Sequence, residues 1–231
     1  MSIQELVDAG FHFGHRTSKW NPKMKPFIFG KRNLIHIINL RETVKGLVTA
    51  CKFLNNLVQT KKEVLFVGTK WQARDIIVRE SQRCGMHYVS ERWLGGTLTN
   101  FDTIRKRLER LEELENLEKT GGINQFSKKA ISSLNRERKK IVTNLEGIRK
   151  MSSLPGALVI VDPKHEHNAV SEAKKLGIPT VCLADTDCDP DMMDICVPGN
   201  DDAIRSIDLF LTKTADAVLA GKELAMAMAK V

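Results

Sequence analysis

The amino-acid sequence predicts an α/β fold: a parallel sheet layered between helices and interrupted by an antiparallel helical hairpin. Short apolar runs alternate with amphipathic stretches along most of the chain, and between Asn100 and Lys150 two charged helical repeats replace that alternation. Strands that alternate with helices favour parallel pairing through right-handed crossovers, which puts helices on both faces of one sheet.

The segment from Ala9 to Asn33 is rich in aromatics, His and Lys. Pro22 and Pro26 block a continuous helix there, so an ordered but irregular arm is expected. From Leu40 to Gln59 apolar residues recur at Val44, Leu47, Val48, Cys51, Leu54 and Val58, the spacing of a helix with one face to bury. Val64-Leu65-Phe66-Val67, closed by Gly68, has the pattern of a strand buried on both faces. A helix from about Trp71 to Arg83 follows, then a strand at His87-Tyr88-Val89.

Beyond the interruption the alternation resumes. It predicts a strand at Ala157 to Val161, a helix near Ala169 to Leu176, and strands at Thr180 to Leu183 and Ile195 to Val197. A long terminal helix, Asp201 to Ala229, has Asn200 or Asp201 placed to cap it.

The interrupting pair flanks a turn at Thr120-Gly121-Gly122. Its first arm carries Phe101, Ile104, Leu108, Leu111, Leu114 and Leu117; its second carries Ile131, Leu134, Ile141, Leu145 and Ile148. This heptad-like spacing predicts an antiparallel hairpin inserted into the sheet domain, each arm roughly 28 Å long at about 1.5 Å per residue. The domain organisation expected is therefore 1–99 with 151–231 as the sheet domain and 100–150 as the insertion. Glu109, Glu112, Glu113, Glu115 and Glu118 dominate the first arm, and Lys128, Lys129, Arg136, Arg138, Lys139 and Lys140 the second. Such charges fit either the solvated dressing of a coiled coil or a face that contacts phosphate.

Composition narrows the function. The 231 residues are 42% hydrophobic, with a formal net charge of +8 and a pI of about 9.3, so the chain folds and attracts polyanions. No run approaches the roughly 20 apolar residues of a membrane span. Met1 to Asp8 lacks the features of a signal or transit peptide, and a cytoplasmic location is expected. The five cysteines, Cys51, Cys84, Cys182, Cys188 and Cys196, show no paired spacing, so reduced thiols are expected, with Cys182 and Cys196 as small core residues.

The strongest local signal runs from His15 to Arg32. Six basic residues and no acids, namely Arg16, Lys19, Lys23, Lys25, Lys31 and Arg32, are interleaved with Trp20, Phe27 and Phe29. That suits phosphate neutralisation beside aromatic surfaces. A second patch is Glu91-Arg92-Trp93-Leu94-Gly95-Gly96-Thr97-Leu98-Thr99-Asn100-Phe101. Either its Gly pair lets Arg92 and Trp93 approach sugar-phosphate, or it is an internal turn with Trp93 packed beneath.

Signatures of enzyme chemistry are missing. Gly68-Thr69-Lys70 follows a strand, yet the sequence contains no phosphate-loop, dinucleotide or nucleophile-elbow pattern. Asp185 to Asp191 resembles a calcium loop but has Pro190 in place of the required glycine, and reads as an acidic turn at a strand end. His12, His15, His165 and His167 are competent ligands without ligand spacing, so no metal is expected. A nucleotide enzyme using the crevice near Gly68 and Asp185 and a pure protein scaffold are the rival classes.

Several blocks carry a resemblance. Ala9-Gly10-Phe11-His12-Phe13-Gly14-His15, Trp20-Asn21-Pro22-Lys23-Met24, Phe27 to Gly30, Ile35 to Leu40, Val67-Gly68-Thr69-Lys70, Trp93 to Phe101, Val161-Asp162-Pro163-Lys164, Cys188 to Asp191 and Pro198 to Arg205 stand in the order of the bacterial small-subunit ribosomal protein two family. The chain resembles that family over essentially its whole length. Trp71, Ala184-Asp185-Thr186-Asp187 and His167 depart from the pattern. The resemblance implies a flavodoxin-like three-layer fold with an inserted antiparallel coiled-coil hairpin. It also implies a structural, non-enzymatic role in translation, without cofactor or small-molecule substrate. The partners implied are small-subunit ribosomal RNA and neighbouring ribosomal proteins, including protein one. The RNA-contacting residues expected are Arg16, Lys19, Trp20, Lys23, Lys25, Lys31 and Arg32 on the arm, Arg92 and Asn100 at the loop, and Lys128, Lys129, Arg136 and Lys139 on the hairpin.

Overall fold

The computed structural model describes residues 3–122 and 126–228. Five strands, β4 (Val64–Val67), β5 (His87–Val89), β6 (Ala157–Val161), β7 (Thr180–Ala184) and β8 (Ile195–Pro198), form one parallel sheet in the order β5-β4-β6-β7-β8. β4 lies between β5 and β6, and all four of its residues are buried. This matches the uninterrupted apolar run expected of a strand covered on both faces. The order reverses at β4, so the connections out of β4 and β6 diverge and leave a crevice at their carboxyl ends.

Successive strand residues feed two separate cores. Val64, Phe66, Val159, Val161, Val181 and Leu183 face one side, where α2 (Leu40–Gln59), α3 (Trp71–Cys84) and α7 (Ile204–Met228) pack. Leu65, Val67, Leu158, Ile160 and Cys182 face the other, against α6 (His167–Leu176) and the helices α4 (Phe101–Lys119) and α5 (Lys128–Leu145). α2 also closes on the edge strand β8: a methyl group at Gly46 would sit 2.4 Å from the Cys196 carbonyl oxygen, so only glycine permits the approach.

α4 buries Ile104, Leu108, Leu111 and Leu114 as one stripe, and the second segment buries Ile141, Leu145 and Ile148. Leu117, Ile131 and Leu134 are only half-buried, so apolar cover thins away from the sheet. Ion pairs between Arg110 and Glu137 and between Arg138 and Glu118 tie the two helices together. Gly147, in the turn after α5, lies against the Tyr88 backbone and covers the other edge of the sheet.

The amino-terminal segment differs from the irregular arm expected. After α1 (Ile3–Asp8), β1 (Phe13–Arg16), β2 (Ile28–Arg32) and β3 (Ile35–Ile38) form a small antiparallel sheet in the order β1-β3-β2. Pro22 and Pro26 sit in a 3-10 turn between β1 and β2, where a fixed φ is tolerated, rather than disordering the path. Asn33 and Leu34, both at positive φ, make the two-residue turn that a tight hairpin requires. These strands escape pattern recognition because they are short: β2 has three exposed residues out of five, and β3, which does alternate, buries a histidine and an isoleucine within only four residues.

The terminal helix begins at Ile204, three residues later than expected, and of the two capping candidates Asn200 is the one used at the turn before it. Asn200 Oδ1 accepts from the backbone N–H groups of Asp202 and Ala203, whereas Asp201 is fully buried and paired elsewhere. The expected helix end at Ala229 lies outside the described residues. All five cysteines are free; Cys182 is buried as expected, while Cys196 is only half-buried.

Candidate nucleic-acid interface

The crevice at the strand ends is occupied by the protein's own charges. Lys70, just beyond β4, places its Nζ 2.7 Å from Asp162 Oδ2, 2.8 Å from Asp201 Oδ1 and 2.9 Å from Asp202 Oδ1. Burial of Lys70 disfavours its charge, but Asp201 and the other carboxylates outweigh that and hold the ammonium well above its usual range. Burial, with Asp162 and Asp185 nearby, pushes the Asp201 carboxyl up. Thr69 donates its N–H and hydroxyl to Glu166, at 2.7 and 2.6 Å. Where a nucleotide phosphate would need free N–H groups and a free cation, this site offers carboxylates and a committed lysine. The rival nucleotide enzyme loses its binding site.

The same cluster anchors the arm. His15 Nδ1 lies 2.8 Å from Asp185 Oδ2, and the His15 N–H donates to Asp185 Oδ1 and Thr186 Oγ1. The hydrogen bond to Asp185 is the main reason the imidazole pKa rises to about 9. Gly14 presses on Thr186, where a Cβ would stand 2.7 Å from the threonine methyl. Of the four histidines weighed as ligands, only His15 belongs to a ligand-type cluster among the described residues. His15, Asp185 and Asp201, and separately Asp162, Cys188 and Asp201, bring ligand-type atoms within 4.8 Å of one another. His165 instead bonds Thr69 Oγ1 at 3.0 Å.

The expected arm residues lie on the outer surface. Arg16, Lys19, Lys25, Lys31 and Arg32 are exposed, and none forms an ion pair among the described residues. Lys23 is exposed too but is committed, its Nζ 2.8 Å from Asp189 and 2.6 Å from Asp191. Trp20 is half-buried with its ring 5.1 Å from that of His36. The imidazole nitrogens of His36 are buried without a hydrogen-bond partner among the described residues.

The loop after β5 resolves in favour of an internal turn for Trp93 and an outward position for Arg92. The Glu172 carboxylate on α6 accepts five hydrogen bonds: from Trp93 Nε1, the N–H groups of Gly96, Leu98 and Thr99, and the Thr99 hydroxyl. Burial alone would raise this carboxyl, but the donors prevail and hold it below the usual carboxylate range. Gly96, at φ +86°, permits the bend. Arg92 and Asn100 stay exposed at its two ends. Sequence inspection misses Glu172 because an acid in an amphipathic helix looks solvated.

On the hairpin Lys128, Lys129, Arg136 and Lys139 are exposed without ion pairs among the described residues. Arg110, Arg138 and Arg149 are neutralised by Glu113, Glu118 and Glu115. The expected residues therefore occupy three surfaces, the arm, the loop ends and the second hairpin helix, and are not gathered into one site.

A parallel sheet whose strand-end crevice is filled by internal ion pairs, with exposed cations that form no ion pair among the described residues, fits a structural protein. Comparison with known proteins agrees. The profile of the family described as ribosomal protein S2 matches residues 6–221. A protein of Rhodopirellula baltica named small ribosomal subunit protein uS2 is 58% identical over 220 residues, 95% of this chain and 85% of its own length. Proteins of the same name from Syntrophobacter fumaroxidans and Geotalea uraniireducens are 54% and 51% identical, over 96% of this chain and 81% and 86% of their own lengths. The chain belongs to the ribosomal protein S2 family, and serves translation as a structural part, not as an enzyme.

Two outcomes are expected of the buried groups. Glu172→Gln replaces an acceptor oxygen by a donor facing other donors, so it should lower unfolding stability by about 3 kcal/mol in a urea titration. An unchanged midpoint would mean that the loop does not depend on this carboxylate. His15, whose folded pKa is raised from 6.5 to about 9, stabilises fully below pH 6.5 and loses that contribution as pH rises to about 9. The loss should be no more than about 3 kcal/mol. A His15→Ala chain should show a flatter decline across this window, and parallel curves would remove His15 as the titrating group.

Proposed function

We propose that this chain is a constituent of the small ribosomal subunit that holds small-subunit ribosomal RNA through phosphate and shape contacts, and that it resides with the ribosome in the bacterial cytoplasm. The relatives' names support the subunit. No helix among the described residues is long and apolar enough to cross a membrane. One observation carries the RNA reading: the acids that face the arm are taken up by two of its residues, and its other cations form no ion pair among the described residues. Asp185, Asp189 and Asp191 are taken up by His15 and Lys23, while Arg16, Lys19, Lys25, Lys31 and Arg32 keep their charge for a partner.

Phosphates meeting these side chains would fix register without reading base sequence. Trp20 supplies a partly exposed ring for a sugar or an unstacked base. Lys23 acts chiefly by fixing the 3-10 turn against the Asp189 loop. Arg92 and Asn100 extend the contact at the loop, and Lys128, Lys129, Arg136 and Lys139 extend it along the hairpin.

The division into a sheet domain, 1–99 with 151–231, of flavodoxin-like three-layer type and an inserted antiparallel coiled coil, 100–150, fits this role. The order of the parallel strands and the apolar stripes of α4 and α5 support it. The insertion reaches an RNA element that the arm does not. A neighbouring ribosomal protein, protein one of the resemblance, docks on the small antiparallel sheet. Phe29, 80% exposed on β2, is an apolar anchor whose size suits a protein contact.

Changing Arg16, Lys19, Lys31 and Arg32 together to Ala should weaken binding to transcribed small-subunit ribosomal RNA and flatten the slope of log affinity against log salt by about one per residue. The same slope as the parent would take the arm out of the interface. Phe29→Ala should leave RNA affinity intact and reduce retention of protein one on reconstituted subunits by roughly tenfold, the effect of losing about 1.4 kcal/mol. Full retention would place that docking surface elsewhere.

A further inference from the structure

The hairpin's cations fall into two groups that its sequence does not distinguish. Arg110, Arg138 and Arg149 each lie within ion-pair distance of a glutamate of the same hairpin. Arg107, Arg136 and Lys140 do not, and these three line one groove of about 600 Å³ where α4, α5 and the loop after β5 meet. Glu137 also lines it, but its carboxylate lies 3.6 Å from Arg110 Nε on the other helix. Arg110 is shared between Glu113 and Glu137, so the groove sets three cations without an ion pair against one partly compensated carboxylate, and its walls are net positive among the described residues.

Its floor is apolar and built in advance. Leu94, Ile141 and Leu145 line it, the last two buried in the second core. Leu94 belongs to the loop that Glu172 holds by five hydrogen bonds, so the floor does not wait for a partner to order it. A concave surface with a small apolar floor and three cations on its walls suits a sugar-phosphate backbone: riboses rest on the aliphatic side chains and successive phosphates reach the walls. An apolar helix would leave the three charges desolvated and unpaired, a heavy penalty that an RNA strand avoids.

We propose that this groove is a seat for one strand of RNA backbone, with Arg107, Arg136 and Lys140 as its phosphate contacts. Arg107 and Lys140 are additions to the interface, and Leu94 is its floor. The proposal rests on the RNA-binding function above and names where on the hairpin the strand lies. It separates residues that share a helix: Arg138, two positions from Arg136, belongs to the hairpin's own cohesion and not to the seat.

The experiment compares four full-length chains by filter binding to transcribed small-subunit ribosomal RNA across a salt series. They are the parent, a chain with Arg107→Ala, Arg136→Ala and Lys140→Ala, a chain with the same three positions exchanged Arg→Lys and Lys→Arg, and the arm variant. All three positions are exposed, and circular dichroism melting is the check that each chain folds. The Ala chain is expected to lose about three from the salt slope and the charge-preserving chain about none. A slope equal to the parent's in the Ala chain, while the arm variant's falls, overturns the groove and leaves the RNA-binding function standing. Loss of a ribosomal protein from reconstituted subunits with unchanged RNA affinity also overturns it, since the groove would then seat a protein. Failure of the parent itself to bind the RNA at low salt removes the RNA-binding function and the groove with it.

Discussion

Burial of opposite charges at the carboxyl ends of the parallel strands is the constraint around which this molecule is arranged. Asp162, Asp185 and Asp201 are withdrawn from water, and a buried carboxylate without a partner costs several kcal/mol. Lys70 and His15 supply the partners from two different parts of the chain, one from the sheet and one from the arm. The crevice that α/β proteins of this strand order commonly use for ligands is thereby closed. The arm is fastened by the same charges that close it.

That arrangement also shapes the field outside. A formal charge of +8 spread evenly would attract any polyanion weakly. Here the acids are largely spent on internal pairs, on Lys23 at the arm and on Arg110, Arg138 and Arg149 along the hairpin. Among the cations left without an ion pair are those of the outer arm and of the groove between α4 and α5. Both are held by bonds formed before any partner arrives, so less conformational entropy is lost on binding than a flexible basic tail would lose.

Much of this was visible in advance where periodicity carries the signal. The apolar runs of β4, β6 and β7, the stripe on α2 and the repeats of α4 and α5 appear within a residue or two of their expected places. The small sheet of the arm is not legible in the sequence, since β1 and β2 alternate weakly, β3 is only four residues long and two prolines suggest irregularity. Trp93 stood between two roles until Glu172 was seen to bind its indole. Of the two residues placed to cap the last helix, Asp201 bonds Lys70 and Asn200 turns the chain into that helix.

The linear order of residues is enough to establish the layered α/β class, the interrupting helical pair, the excess of positive charge and the family. Each of these depends on neighbours a few positions apart, or on blocks that can be matched in order. Which cations remain available to a partner is a different kind of fact. Lys70 meets Asp201 across 131 positions, Lys23 meets Asp189 across 166, and His15 meets Asp185 across 170. Pairings at such separations leave no periodic trace, because they form only when the sheet has brought its strand ends together. Neutralised and unpaired lysines and arginines look alike until then.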